Sequence, residues 1–586
     1  MKRRHYFHFF LGGIAASAAL LAACSGSNGQ VTGRSDYYTR GIGQYPGSPQ
    51  EDFSPELVKD DTYRNIALMR AAYQSSAYDY NLTAQLVTDG IVHNGVPQYL
   101  RLLTPDGEKP KREREWMIDE GPYSRNVATG EDTYFQFDLE NYRKKADRVY
   151  LKGTVTYYAE KAGKGYELIC QGSDDGASWT ELGKIAGKGL PGEAAKYNMH
   201  SDPNKQDEKG TLPVRIIELE IPMKQSGEYS HYRVVMRMAG AAYWTIHDMN
   251  FFNGGEYVEL KPSSCFNSIW MSAGDAQEWI YVDLGTKADF DKVILHWVNK
   301  AVQGKIQTSD DARSWKDAAP LPGGDSPTDE IAVKGKARYV RVLMERPKEK
   351  GSYMLSEIEV MGKGGLTARA VPQPAAEGNS IRLSGGNWKV QRASEVKGNG
   401  EEIASAGFQT DGWIPATVPG TVLSSYKNIG ALPDPNYSAN QLNVSESFFN
   451  SNFWYRNEFT VPEGFIKDRV FLNFDGINWK AHVYLNGRKA GDIEGAFIRG
   501  KLDVTELIVP GKNVLSVEIV KNSHLGAVKE KNKQSTDFNG GILGADNPTF
   551  HATIGWDWIP TVRGRNIGIW NDVKLVSTGN VTVSDP

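Results

Sequence analysis

A seven-residue segment occurs twice in the first half of the chain and indicates how that half is built. Ser173-Asp174-Asp175-Gly176-Ala177-Ser178-Trp179 recurs as Ser309-Asp310-Asp311-Ala312-Arg313-Ser314-Trp315. Each copy follows a strand-like run and precedes an Arg-containing strand, at residues 231–235 or 338–342. Asp and Ser side chains bond nearby backbone amides in turns, and we expect the tryptophan to pack beneath the turn as a core plug. The repeat predicts two related β-modules.

The order of these strands resembles the discoidin-like (coagulation factor 5/8 type C) domain, an eight-stranded β-sandwich common in carbohydrate-binding modules. The resemblance covers nearly all of residues 256–363 and, more loosely, 60–255, where residues 75–78 and 89–90 match the opening strand and turn. Sugars bind such modules on end loops, where aromatic residues stack on the ring. Four aromatic residues are candidates, but core or rim packing explains each of them better, and none is assigned: Tyr78, Tyr80, Trp244 and Trp270.

Some relatives of these modules hold a structural calcium ion through loop carbonyls and carboxylates. No calcium-ligand spacing is legible in the sequence. We therefore assign no cofactor and no metal ligand.

The second half follows a Pro- and Ala-rich linker at residues 364–379. In its clearest strand Leu515, Val517 and Ile519 alternate towards one face. Asn486-Gly487 is a strong hairpin signal. This half therefore also reads as a β-sandwich.

Seven short motifs in this half, taken in order, resemble the N-terminal sugar-binding jelly roll of glycoside hydrolase family 2, nearest to its exo-β-D-glucosaminidases and β-mannosidases. They are Val418-Pro419-Gly420-Thr421-Val422, Pro433-Asp434-Pro435-Asn436-Tyr437, Phe453-Trp454-Tyr455-Arg456, Asp475-Gly476-Ile477-Asn478, Tyr484-Leu485-Asn486-Gly487, Gly555-Trp556-Asp557-Trp558-Ile559-Pro560 and Gly568-Ile569-Trp570. The resemblance covers about residues 380–580. An immunoglobulin-like domain and a (β/α)8 barrel follow in that family, and residues 581–586 are expected to begin the former.

The resemblance implies a sugar site. In related β-mannosidases the Trp and Asp of Gly-Trp-Asp-Trp line the pocket for the terminal sugar, which places substrate-binding roles on Trp556 and Asp557, with Trp558 as a further candidate. A carboxylate accepts charge-assisted hydrogen bonds from adjacent hydroxyls, and an indole packs on the apolar side of the ring. The alternative is that both tryptophans are core residues and Asp557 caps a turn.

Hydrolysis with retention requires two carboxyl groups roughly 5 Å apart. In family 2 both are barrel glutamates, and no position of this sequence matches either motif. We interpret Glu458, Glu494 and Glu518 as solvated strand or turn residues and assign no catalytic residue. The chain alone is expected to be inactive.

The N-terminus predicts export. Residues 1–24 combine a basic start with a short apolar run, and Leu21-Ala22-Ala23-Cys24 resembles a bacterial lipobox, in which Cys24 is lipidated. The alternative is an ordinary cleaved signal. We expect the protein to be lipid-anchored to the bacterial cell envelope, at the outer membrane and facing either the periplasm or the exterior, with no other membrane contact.

The composition excludes other classes of function. The formal charge of −4, from 67 basic and 71 acidic residues, does not suit nucleic-acid binding. Cys170 and Cys265 fall in separate predicted domains, so we expect buried free thiols.

The predicted fold is all-β: tandem β-sandwich domains, two discoidin-like modules followed by a galactose-binding-like jelly roll. The expected boundaries are a signal at 1–24, a tether at 25–59, sandwiches at 60–255 and 256–363, a linker at 364–379, the jelly roll at 380–580 and a domain start at 581–586. Two functions remain open. In the first, the chain is the glycan-binding N-terminal part of an exported retaining exo-β-glycosidase of family 2. In the second, it is a stand-alone, non-catalytic glycan-binding lipoprotein. Either reading makes an oligo- or polysaccharide its partner.

Overall fold

The computed structural model describes residues 53–93, 95–108, 126–195, 212–258, 260, 266–435, 437–521, 527–528, 541–542 and 567–581. Within them the chain forms antiparallel sheets with a few short helices, so the all-β prediction is confirmed. Buried hydrophobic residues make three separate cores, one in each of three β-sandwiches. No helix in the described ranges is long and apolar enough to span a lipid bilayer.

The chain opens with three short strands, β1 (Leu57–Asp60), β2 (Arg64–Asn65) and β3 (Ala72–Gln74). They pair with strands that lie more than 200 positions later in the sequence: β1 with Gly365–Ala368, β2 with Met354–Lys363 and β3 with Glu278–Asn299. The opening strands therefore belong to the second sandwich.

The first sandwich is inserted between these strands and the rest of the second sandwich. One sheet has the order β10-β9-β13-β7-β4-β5, and the other has the order β11-β12-β8-β14-β15, with β6 also on β14. The strands are β4 (Tyr99–Thr104), β5 (Gly107–Glu108), β6 (Asn126–Thr129), β7 (Asp132–Glu140), β8 (Lys144–Tyr157), β9 (Tyr166–Ser173), β10 (Thr180–Gly187), β11 (Glu193–Ala194), β12 (Val214–Tyr229), β13 (His231–Met238), β14 (Ala241–Asn253) and β15 (Glu256–Val258).

This insertion differs from the expected boundaries of 60–255 and 256–363. Residues 75–78 and 89–90, which we matched to the opening of the first module, lie in the second. The reason is that the strand pattern shows which face of a segment is apolar but not which core that face enters. Ala72 and Val87 are both fully buried in the core of the second sandwich.

The second sandwich is completed by seven strands after the insertion. They are β16 (Trp270–Met271), β17 (Glu278–Asn299), β18 (Ala301–Ser309), β19 (Lys316–Pro320), β20 (Thr328–Pro347), β21 (Met354–Lys363) and β22 (Gly365–Ala368). The register of β17 against β20 shifts between Asp283 and Ala288. Before the shift β17 pairs with β3, and after it with β21, so that one long strand serves both layers.

The third sandwich has one sheet in the order β23-β34-β27-β30 and a second in the order β25-β24-β26-β31-β28-β29. Its helices are α1 (Gly400–Ile403), α2 (Val422–Asn428) and α3 (Glu446–Phe449), and 3-10 turns occur at Ala393–Glu395 and Asn440–Asn443. A further 3-10 turn, Ala84–Thr88, follows β3 in the second sandwich. The remaining strands are β23 (Ser380–Arg382), β24 (Lys389–Arg392), β25 (Ile414–Pro415), β26 (Phe453–Val461), β27 (Arg469–Phe474), β28 (Lys480–Leu485), β29 (Arg488–Glu494), β30 (Gly500–Asp503), β31 (Gly511–Val520), β32 (Ala527–Val528), β33 (Gly541–Ile542) and β34 (Val573–Thr578).

The repeated Ser-Asp-Asp segment forms the expected turn in both modules. Oδ1 of Asp311 accepts from the amides of Arg313 and Ser314 at 2.8 and 2.7 Å, and Asp175 makes the same pair of bonds. The tryptophan is not the core plug that we expected. Trp315 is half-buried, with the guanidinium of Arg341 4.1 Å from its ring centroid, and Trp179 pairs with Arg233 in the same way. Because each indole stacks on an arginine of the neighbouring strand, it packs on the outer face of the sheet and not in the core.

Candidate sugar site and a buried carboxylate pair

The three residues assigned to sugar binding, Trp556, Asp557 and Trp558, lie outside the described residues, as do Cys24 and Cys265. Of residues 522–566 the structure describes only 527–528 and 541–542. The structure describes residues 521 and 567 on either side of this stretch.

Both flanks of residues 522–566 are bonded to one dipeptide, Asn478–Trp479. Asn478 and Gly568 exchange two backbone hydrogen bonds of 2.9 Å, and the indole nitrogen of Trp479 donates to the carbonyl of Lys521 at 3.3 Å. The peptide bond between Asn478 and Trp479 is cis. The two flanks therefore meet at one end of the third sandwich.

Polar and aromatic side chains surround this dipeptide. The ammonium of Lys480 lies 4.2 Å from the ring centroid of Trp479. The amide of Asn452 accepts from the Lys521 backbone at 3.0 Å and donates to Glu518 at 2.9 Å. Trp479 is 9% exposed, and the Lys480 ammonium is paired with Glu494 at 2.7 Å. These groups therefore hold the two flanks in place at this end of the sandwich. Sequence reasoning missed Trp479 and Asn452, although Trp479 directly follows the Asp-Gly-Ile-Asn motif.

A second tryptophan at this end depends on a glycine. The indole nitrogen of Trp570 donates to the carbonyl of Ala496 at 3.2 Å. A β-carbon on Gly476 would lie 2.5 Å from Cε2 of Trp570. The glycine of the Asp-Gly-Ile-Asn motif is therefore required for the ring to lie against the backbone.

The three glutamates that we interpreted as solvated strand or turn residues each have a polar partner. Glu458 is bonded to Arg456 and Glu494 to Lys480, and their side chains are 60% and 66% exposed. Glu518 is bonded to Asn452. Each carboxylate therefore has a partner of its own, as the strand interpretation requires.

The aromatic candidates of the discoidin-like modules divide into core and surface. Trp244 and Trp270 are fully buried, so neither ring can stack on a sugar in this structure. Tyr78 is 43% exposed and packs edge-on against Tyr99 at 5.2 Å. Tyr80 is half-buried. The structure gives none of them a sugar-binding geometry.

Two carboxylates are buried together in the second sandwich. Asp89 is 7% exposed and Glu357 is 2% exposed. Asp89 accepts from the Ser268 hydroxyl at 2.5 Å and from the Ile91 amide at 2.9 Å, and both oxygens of Glu357 lie 3.3 Å from the Gly90 amide. Burial raises the pKa of Asp89 to about 7. Burial and then the Asp89 carboxylate raise the pKa of Glu357 well above its usual value.

The surroundings of this pair do not fit a metal ion. The oxygens of both carboxyl groups face N–H or O–H donors, and the described residues contain no group of three or more His, Cys, Asp or Glu suited to a metal. The raised pKa values instead favour protonated carboxyl groups held by these hydrogen bonds. Because Asp89, Ser268 and Glu357 are separated in the sequence by the inserted sandwich and most of the second, their proximity was not legible in the sequence.

Comparisons with known proteins agree with this architecture. Residues 388–571 match the family described as glycosyl hydrolase 2 galactose-binding domain-like, and residues 259–342 match the NedA-like galactose-binding domain of the F5/8 type C group. The mannosylglycoprotein endo-β-mannosidase of Lilium longiflorum is 32% identical over 206 residues, which cover 34% of this chain and 21% of the relative. The exo-β-D-glucosaminidase of Streptomyces avermitilis is 30% identical over 230 residues, 38% of this chain and 22% of the relative.

Among solved structures, the exo-chitosanase of Amycolatopsis orientalis is 28% identical over 34% of this chain and 21% of its own, with a TM-score of 0.28. The chain spans about a fifth of the length of the curated relatives that it matches. Residues 388–571 are thus a galactose-binding-like domain of the glycosyl hydrolase 2 type, and residues 259–342 belong to an F5/8 type C-like domain.

Proposed function

We propose that this chain is the carbohydrate-binding portion of a retaining exo-β-glycosidase of family 2, of the β-glucosaminidase or β-mannosidase type, acting on oligo- or polysaccharides. The match of residues 388–571 carries the proposal. The names of its glucosaminidase and mannosidase relatives support it.

Asp557 accepts hydrogen bonds from adjacent hydroxyls of the terminal sugar, because a carboxylate offers two acceptor oxygens at hydroxyl spacing. Trp556 and Trp558 exclude water and pack on the apolar side of the ring. Catalysis requires two further carboxyl groups, one to protonate the leaving oxygen and one to attack the anomeric carbon. We propose that a barrel domain outside residues 1–586 supplies them.

The binding role is tested by Asp557→Asn in residues 25–586. We expect affinity for glucosamine or mannose to fall about 10- to 100-fold, since a hydrogen bond to a charged group contributes about 1.5–3 kcal/mol. Asp572→Asn is the matched control, because Asp572 pairs with Arg382 on an exposed strand end. Calorimetric titration measures both variants. Equal affinity in Asp557→Asn and the wild type would refute the assignment.

The absence of hydrolysis is tested separately, with a panel of nitrophenyl β-glycosides on the same chain. We expect no turnover. Release of nitrophenol by the purified chain would show that its own carboxylates cleave the bond.

We also propose that the protein is exported and lipid-anchored through Cys24, because residues 21–24 resemble a lipobox. Labelled palmitate should enter the wild type and not Cys24→Ser, and the variant should leave the membrane fraction. Equal labelling of both would place the lipid elsewhere, and no labelling of either would leave only a cleaved signal.

A further inference from the structure

We propose that the docking of the third sandwich onto the second is coupled to a proton on Asp89, so that docking is tightest at acidic pH and weakens as the pH rises towards neutrality. Neither the identity of the sugar nor the catalytic domain enters this coupling. It makes the position of the third sandwich relative to the second sensitive to pH.

The two sandwiches share one 3-10 turn, Ala84–Thr88. Ala84 and Val87 are fully buried in the core of the second sandwich. Leu86, between them, is fully buried in the core of the third. Asp89 follows this turn directly, so a change of charge at Asp89 acts on the segment against which the third sandwich packs.

Hydrogen bonds cross the same junction. Oε1 of Gln85 accepts from the amide of Ser445 at 2.9 Å, and the Ser445 hydroxyl donates to the carbonyl of Asn81 at 2.7 Å. The amide of Ala71 donates to the carbonyl of Gly430 at 2.8 Å. These bonds attach the start of helix α3 and the turn after α2 to the segments around Asp89.

The contacts of the Ser268 hydroxyl show where a proton is needed. Its oxygen lies 3.1 Å from the carbonyl oxygen of Leu86 and 2.5 Å from Oδ2 of Asp89. A serine hydroxyl has one proton, and a carbonyl oxygen can only accept. Both contacts are therefore hydrogen bonds only when Asp89 is protonated, because Asp89 then donates to Ser268 and Ser268 donates to Leu86. The other oxygen of Asp89, Oδ1, accepts from the Ile91 amide at 2.9 Å.

Loss of this proton disturbs the junction itself. An ionised Asp89 takes the single proton of Ser268 as its own donor, and the carbonyl of Leu86 then loses its bond to Ser268. A buried acceptor without a donor is unfavourable, and this acceptor belongs to the residue that enters the core of the third sandwich. The new charge also lies beside Glu357, which raises the cost of keeping both groups buried.

The groups around Asp89 do not compensate for that charge. The charged or titratable side chains on the elements packed around it are Glu357 and Glu359 of β21, Arg392, Glu395 and Tyr426 of the third sandwich, and Arg70 and His93 of its own segment. Burial is the main reason that the pKa of Asp89 is raised, to about 7. Glu395 raises the same pKa and Arg392 lowers it, and the effect of Glu395 is the larger.

The direction of the coupling follows from these two states of Asp89. Arg392 and Tyr426 act on Asp89 from the third sandwich, so undocking lets water reach the carboxyl group and moves its pKa towards the ordinary value near 3.9. A carboxyl group with the higher pKa in the docked state favours docking fully below the lower value and loses that contribution as pH rises to about 7. Between the two values the docking constant falls by up to about ten-fold per pH unit.

Hydrogen exchange of the full chain tests the coupling, between about pH 5 and about pH 8, with each rate divided by the intrinsic rate at that pH. The Ser445 amide is bonded across the junction, so its protection reports docking. We expect this protection to fall at least about ten-fold over the range, because one proton is released. The Asn486 amide is the internal control, since it bonds to Val514 within the third sandwich. Its protection should stay constant.

Asp89→Asn should abolish the pH dependence of the Ser445 amide. The asparagine amide nitrogen can donate to Ser268 as the protonated carboxyl group does, and it carries no charge at any pH in the range. Asp138→Asn is the matched control, because Asp138 is 8% exposed but lies in the first sandwich, bonded to His231. It should keep the pH dependence of the wild type.

A second pair of variants guards against misfolding of Asp89→Asn. Ser268→Ala removes the bond to the Leu86 carbonyl at every pH, so the protection of the Ser445 amide should already be reduced at about pH 5, where that bond is otherwise formed. Ser516→Ala removes a buried hydroxyl that bonds to Gly400 elsewhere in the third sandwich. It should leave the protection of the Ser445 amide unchanged.

Three results would overturn the coupling. The first is equal protection of the Ser445 amide at both ends of the pH range in the wild type. The second is a fall that Asp89→Asn shares, since another group would then cause it. The third is an equal fall at the Asn486 amide, which would mean that the whole third sandwich opens. Sugar binding through Asp557 is measured separately and is unaffected by any of these results.

Discussion

The indole nitrogen of Trp479 and the backbone carbonyl of Lys521 are joined by a hydrogen bond of 3.3 Å, beside the backbone pair formed by Asn478 and Gly568. Through the Asn478–Trp479 dipeptide these contacts bring together Lys521 and Gly568, which are 47 positions apart in the sequence. The stretch between them contains the three residues proposed to bind sugar. The end of the third sandwich at Trp479 is therefore where a sugar pocket is to be sought.

Gly476→Ala should destabilise that end. The new methyl group would meet the Trp570 ring at 2.5 Å, and an overpacked contact of this kind costs about 1–3 kcal/mol. Chemical denaturation measures the loss of unfolding free energy. Gly274→Ala is the control, because a β-carbon there meets nothing within 4 Å. Equal stability of both variants would mean that Trp570 moves aside freely.

Asp329→Ala should be among the most damaging single changes in the second sandwich. Lys300 and Asp329 form a 2.8 Å ion pair in which each side chain is 3% exposed, and the indole of Trp297 donates to the same carboxylate. Removal of one partner of a buried pair costs about 3–5 kcal/mol, because it leaves the other charge unpaired. Thermal unfolding measures the effect.

Its control is Asp289→Ala. Asp289 pairs with Lys336 at 2.9 Å, with both side chains about 60% exposed, and water screens such a pair. We expect its melting temperature to match the wild type. A similar fall in both variants would show that the Lys300 pair has no special role.

Acid should weaken the repeated turn through Asp311. Backbone hydrogen bonds from Ser314 and Arg313 hold the pKa of Asp311 below its usual value. A carboxyl group with a lowered pKa stabilises the fold above its unfolded value, near 3.9, and loses that contribution as pH falls towards the folded value. The stability difference between wild type and Asp311→Asn should therefore shrink below about pH 4. Parallel curves in denaturation at successive pH values would contradict this.

Much of the fold was predictable from local pattern. The Ser-Asp-Asp turns appear where their sequence indicates, because side chains that bond amides two or three residues away need no distant partner. Strand β31 buries Leu515, Val517 and Ile519 as their alternation predicts. The two domain types were likewise predicted from short motifs that occur in a fixed order along the chain.

What the turn motif did not indicate was the surroundings of its tryptophan. Trp315 lies over Arg341, which reaches it from strand β20. The local sequence pattern around a half-buried tryptophan is the same as that around a core tryptophan. Only the partner on the neighbouring strand distinguishes them.

The sequence by itself determined the sheets, the turns and the kinds of domain, since these depend on neighbours along the chain. Tertiary structure alone decided that residues 57–93 complete the second sandwich and that Asp89, Ser268 and Glu357 meet in its interior. The physical reason is that pairing between distant strands is selected by the complementary burial of whole faces. Burial of this kind is a property of the assembled cores and leaves no regular spacing between the residues that it brings together.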